Sequence, residues 1–95
     1  MENVNVSLQI LPVVPEEDIY PVVDQVIALI DRRCDKYIVG PMETTMEGPL
    51  DLLLDIVKEA QVICTQAGAK RVVSMVKIDY KAEGVTMDEK IYKYK

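Results

Sequence analysis

Val4, Val6, Leu8 and Ile10 alternate with Asn5, Ser7 and Gln9 near the start of the chain. Successive side chains of a strand point to opposite faces, so this run is a strand with one apolar and one polar face. Everything that follows must build a sheet whose two sides differ in kind. Pro12 and Pro15 end the strand, and Glu16, Glu17 and Asp18 bring negative charge to where it favours a helix N-terminus. From Ile19 to about Cys34, Val23, Ile27, Ile30 and Cys34 recur at helical spacing, with Val22, Val26 and Leu29 widening the stripe.

Lys36 to Val39 is short and rich in β-formers, and Gly40-Pro41 breaks it before a second short run, Thr44 to Glu47. The two runs predict a hairpin. Gly48-Pro49 closes it, and Leu50, Leu53, Leu54, Val57, Ala60, Cys64 and Ala67 lay out a second amphipathic helix that Gly68 stops. Lys70 to Asp79, dense in β-branched residues, is the last strand. Thr86-Met87-Asp88-Glu89 fits a capping box for a short helix through Tyr94. Such a helix is too short to persist alone, so Met87, Ile91 or a tyrosine must dock on the body of the protein.

The order is β-α-β-β-α-β plus a tail, the ferredoxin-like α+β arrangement, in which two helices cover one face of a four-stranded antiparallel sheet. The alternation puts Val4, Val6, Leu8, Ile10, Ile38, Met46, Val72, Val76 and Ile78 under the helices. Asn5, Ser7, Gln9, Tyr37, Val39, Thr45, Glu47, Val73, Met75, Lys77 and Asp79 then fall on the uncovered face. Apolar Val39, Val73 and Met75 among these polar groups make a surface of the kind that marks an interface, which predicts a homo-oligomer.

The 95 residues suffice for one domain, and 49% hydrophobic with 28% charged residues supplies a core. A net charge of -5 argues against the phosphate attraction behind most nucleic-acid binding. With no His, there is no imidazole base and no His metal ligand. Cys34 and Cys64 lack Cys-x-x-Cys spacing, and are expected as reduced, buried thiols. The four glycines are too scattered for a phosphate loop, and the acids at Glu16 to Asp18 are explained by the helix dipole. Lys90, Lys93 and Lys95 are expected to be solubilising. No basic region followed by an apolar stretch opens the chain, and no apolar run is long enough for a membrane span, so a cytoplasmic protein without membrane contact is expected.

The segment from Tyr37 to Gly48 carries a phenol, two hydroxyls, a Gly-Pro turn and a carboxylate. Here the chain resembles the small thiamine-binding proteins, single ferredoxin-like domains that assemble as dimers or tetramers. In that family a strand ending in Pro is followed by a Thr, a Glu-Gly pair and an acidic helix start, matched by Pro41, Thr44, Glu47, Gly48 and Asp51. Gly68 to Val73, Lys77 to Lys81 and Gly84 to Lys90 match the family's closing elements, so the resemblance covers nearly the whole chain.

The resemblance implies binding of thiamine or its hydroxymethylpyrimidine half, without catalysis and without a cofactor or metal. An aminopyrimidine pairs a ring-nitrogen acceptor with an amino donor, for which Glu47 or Asp79 is the candidate partner. Ser7, Gln9 and Thr45 are expected to complete the polar rim. Thr44, matched to the family, should point the opposite way from Thr45. The face of Tyr37 would attract the thiazolium cation, with Val39, Val73 and Met75 holding the flat rings. One flat sheet encloses nothing, so the site is expected between two open faces. The alternative is an assembly domain that uses the face only for subunit contact. An enzyme using Glu47 as acid or base is the third reading, weakened by the lack of a second positioned group.

Overall fold

The central pair of strands follows directly from the period-2 run. In the computed structural model, which describes residues 2–95, β1 (Asn3–Pro12) lies between β3 (Thr44–Pro49) and β4 (Val72–Asp79), and β2 (Lys36–Val39) lies outside β3. Met1 lies outside the described residues. The sheet order is β2-β3-β1-β4, with every neighbouring pair antiparallel. Helices α1 (Glu16–Arg33) and α2 (Leu50–Gln66) cover one face, and a short α3 (Asp88–Ile91) with a following turn at Tyr92–Tyr94 ends the chain. This is the ferredoxin-like sandwich.

Val4, Val6 and Leu8 are buried under the helices with Met46 beside them. Burying side chains of this size contributes about 1.5 to 3 kcal/mol each, enough to fix the register of β1. The stripe of α1 is centred on Val22, Val26, Leu29 and Ile30, with Val23 and Ile27 only half-buried at its flank. On α2, Leu53, Ile56, Ala60 and Cys64 are buried. Cys34 and Cys64 are both free thiols inside this core. Burial alone pushes the Cys64 thiol above its ordinary range.

Gly68 stops α2 as expected. It sits at φ +106°, and Ala69 donates its backbone N–H to the Cys64 carbonyl at 3.0 Å, closing the helix end through a left-handed residue that only glycine adopts freely. The capping box is also formed: Thr86 N–H donates to Glu89 at 3.1 Å, and Glu89 N–H donates to the Thr86 hydroxyl at 3.2 Å. Among the described residues no helix is long and apolar enough to cross a membrane.

Two expectations are corrected here. Val76 and Ile78, expected under the helices, are exposed because β4 is an edge strand of the sheet, and Ile78 lines the depression on the open side. The four-residue connection Gly40–Glu43 pairs Val39 with Thr44 and Tyr37 with Met46. Odd-numbered residues of β2 therefore share a face with even-numbered residues of β3. Tyr37 and Val39 lie on the helix side, and Ile38 and Lys36 lie on the open side, the reverse of the expected assignment. The Tyr37 hydroxyl donates to Asp31 of α1 at 2.6 Å, which confirms its side.

Candidate functional site

Two cross-strand rows run side by side over the open face. Paired residues in neighbouring strands lie on the same face with Cβ atoms about 5 Å apart. The first row reads Lys36, Glu47, Asn5, Asp79 across β2, β3, β1 and β4. The second reads Ile38, Thr45, Ser7, Lys77. The C-terminal segment folds over the first row and leaves the second free.

The tail is held by all four residues of that first row. Glu47 is buried, and its Oε1 accepts the Met87 backbone N–H at 2.6 Å, while its Oε2 lies 3.8 Å from Lys36 Nζ. Asn5, also buried, donates through Nδ2 to the Val85 carbonyl at 3.3 Å and accepts at Oδ1 from Lys90 Nζ at 2.7 Å. Lys90 makes its ion pair with Asp79 at 2.6 Å. Val85 and Met87 are buried beneath this lattice, so the tail docks through Met87, as its brevity requires. Further out, Asp88 accepts from Lys36 at 2.8 Å and from Lys95 at 2.9 Å. These two ammonium groups, Lys36 first, hold the Asp88 carboxyl down at about 2, and the same contact raises the Lys36 ammonium.

Against the tail, the open face forms a depression of about 530 Å³, within the usual range for small-molecule sites. Its floor is the free row, Ile38, Thr45, Ser7 and Lys77, together with Asn5 and Asp79; Met87, Lys90 and Ile91 of the tail form one wall. Apolar area therefore surrounds a small set of hydroxyl, amide and charged groups.

Of the residues singled out from sequence, the structure brings Ser7, Thr45 and Asp79 together in this depression. Gln9 lies on the same face one cross-strand pair beyond Ser7, opposite Met75 and outside the depression. Thr44 is buried on the helix side, opposite in direction to Thr45 as expected. Tyr37 is on the wrong face to meet a ligand there. A hydrogen bond to Asp31 raises its phenol above the ordinary 10.0. Glu47 is on the open face but engaged by the tail. Sequence reasoning missed Asn5 as a contact, and it missed Lys77, Lys90, Met87 and Ile91 as lining residues. For Lys77 the signal was present, since it occupies the same face as Ser7; for the tail residues no local pattern reveals where the segment docks.

The fold is a ferredoxin-like sandwich, and the polar-floored depression on its uncovered face has the dimensions of a small-molecule site. The profile of the family described as thiamine-binding protein matches residues 6–95, and the chain belongs to that family. A UPF0045 protein of Clostridium perfringens is 60% identical over 95 residues, all of both chains. Among solved structures, a domain of unknown function, DUF77, from Bacillus cereus is 45% identical with a TM-score of 0.92, covering 99% of this chain and 91% of its own. A Thermotoga maritima protein proposed to act in thiamine biosynthesis or salvage is 41% identical with a TM-score of 0.91, covering 98% of this chain and 99% of its own.

Proposed function

We propose that this protein binds thiamine or its hydroxymethylpyrimidine half, without transforming it, in the depression between the open sheet face and the C-terminal tail. The observation that carries the reading is the free row of Thr45 and Ser7 between apolar Ile38 and charged Lys77, walled by Met87 and Ile91, in a member of the thiamine-binding family. A flat heterocycle lies against the aliphatic side chains while Ser7, Thr45 and Asp79 take up its hydrogen-bonding groups. The reading is non-catalytic because Asp79, the one carboxylate lining the depression among the described residues, is held in an ion pair by the Lys90 ammonium.

The depression is open on one side, and the exposed Val73 and Met75 continue the same face beyond it. A second copy seated on this face buries them and closes the site, giving a homodimer or a pair of dimers. Isothermal titration with thiamine, hydroxymethylpyrimidine and their phosphate esters tests the reading. Saturable heat with at least one of them is expected. No heat with any at millimolar concentration removes vitamin binding and leaves an assembly domain.

A further inference from the structure

Resting on the binding function proposed above, we infer that Lys90 of the C-terminal helix is a positioning residue for the ligand: it pins one oxygen of the Asp79 carboxylate and so fixes the other as the acceptor for the amino group of the pyrimidine.

Asp79 ends an edge strand, with its side chain 54% exposed. A lone carboxylate in such a place turns among its rotamers and is hydrated at both oxygens. Here one oxygen is taken, because Lys90 Nζ lies 2.6 Å from Oδ2. The other, Oδ1, has no hydrogen bond or ion pair among the described residues, and Asp79 lines the depression.

Lys90 can fix its partner because it is itself held from the other side. Its ammonium donates to Asn5 Oδ1 at 2.7 Å, and the buried Asn5 is tied at its other end by donation to the Val85 carbonyl at 3.3 Å. Asn5 and Asp79 are cross-strand partners, so one ammonium bridges two neighbouring side chains of the floor. The backbone that carries Lys90 is anchored in turn: its N–H donates to the Met87 carbonyl at 3.0 Å, and the Met87 N–H donates to Glu47 at 2.6 Å.

An ionised carboxylate only accepts, so it meets the amino donor of an aminopyrimidine and leaves the ring nitrogen to another group. That nitrogen needs a donor, and the Ser7 and Thr45 hydroxyls, in the next row of the same face, supply one. Holding the carboxylate beforehand spares the ligand the cost of ordering it.

The test is titration with hydroxymethylpyrimidine and with the same molecule carrying hydrogen in place of its amino group, against the wild type, Lys90→Met, Asp79→Ala and the double variant. Both side chains are part-exposed, so the variants leave the core untouched. The ratio of the two affinities is read, so a looser tail that weakens both compounds alike does not enter it. The wild type is expected to favour the amino compound by about tenfold, as one charge-assisted hydrogen bond implies. Asp79→Ala should bring the ratio to about one. Lys90→Met should lower it by about threefold, the worth of one side chain ordered in advance, and should have no further effect once Asp79 is replaced. An unchanged or larger ratio in Lys90→Met, or an effect of that substitution that persists beside Asp79→Ala, overturns the positioning role and leaves vitamin binding standing. A wild-type ratio near one does the same. No heat with either compound or with thiamine overturns the binding function as well.

Discussion

The Glu47 carboxylate, on the third strand, accepts the backbone N–H of Met87, 40 residues further along the chain, at 2.6 Å in a buried setting. This contact joins the tail to the sheet and engages a carboxylate of the open face in the same stroke. A buried amide that loses a charged acceptor keeps its desolvation penalty and gains nothing in return.

Glu47→Ala is accordingly expected to destabilise the fold by about 1.5 to 3 kcal/mol, read from urea denaturation. Glu47→Gln keeps an oxygen acceptor for Met87 and loses only the attraction to Lys36 at 3.8 Å, so its loss should be clearly smaller. Equal stability of Glu47→Ala and the wild type would mean that the tail is not anchored there.

Asp88 gives the tail a dependence on pH. Its carboxyl is depressed from 3.8 to about 2 by hydrogen bonds from Lys36 and Lys95. A depressed acid stabilises the docked state above its unfolded value, and that contribution disappears as pH falls through the folded one. Undocking should therefore develop from pH 3.8 down to about 2. The amide resonances of Met87 and Ile91 followed by NMR should shift over this window, and Asp88→Asn should remove that part of the change. An identical titration in Asp88→Asn would rule the contact out as its source.

Tyr37 titrates on the other side of neutrality. Its phenol is raised above 10.0, chiefly by the hydrogen bond to Asp31, so the stability it contributes is complete below pH 10.0 and is lost as pH rises through the folded value. Ultraviolet titration of the wild type against Tyr37→Phe should show a missing high-pH phenolate step. Because Tyr37 lies under the helices, Tyr37→Phe should leave ligand affinity within about twofold; a tenfold loss would put the site on the wrong face.

The exposed apolar pair on the fourth strand tests the assembly. Val73 and Met75 are 49% and 59% exposed in the single chain, on the uncovered side of the sheet. Light scattering of the wild type should give the mass of a dimer or tetramer, and Met75→Asp should lower it, since an unpaired carboxylate is costly to bury. A wild-type particle with the mass of one chain would sink the idea that this face meets a copy of itself.

The elements themselves were legible because each is encoded by neighbours in sequence. Val4 to Ile10 had only one way to bury their apolar side, and the Thr86 and Glu89 capping box formed as written. The face of the second strand was misjudged because parity across a hairpin depends on the length of its connection, and four residues between Val39 and Thr44 reverse it. That count was present in the sequence and would have exchanged Tyr37 for Ile38.

Local pattern determined the strands, the helices and the polar composition of the uncovered face, since hydrophobic periodicity acts over a few residues at a time. Which polar groups stayed free was decided by the folded chain. Lys90 reaches Asn5 across 85 residues, and no local rule encodes such a contact. The tail occupied the acidic row because that row offered its backbone and its lysine the strongest acceptors, and the row beside it was left uncovered.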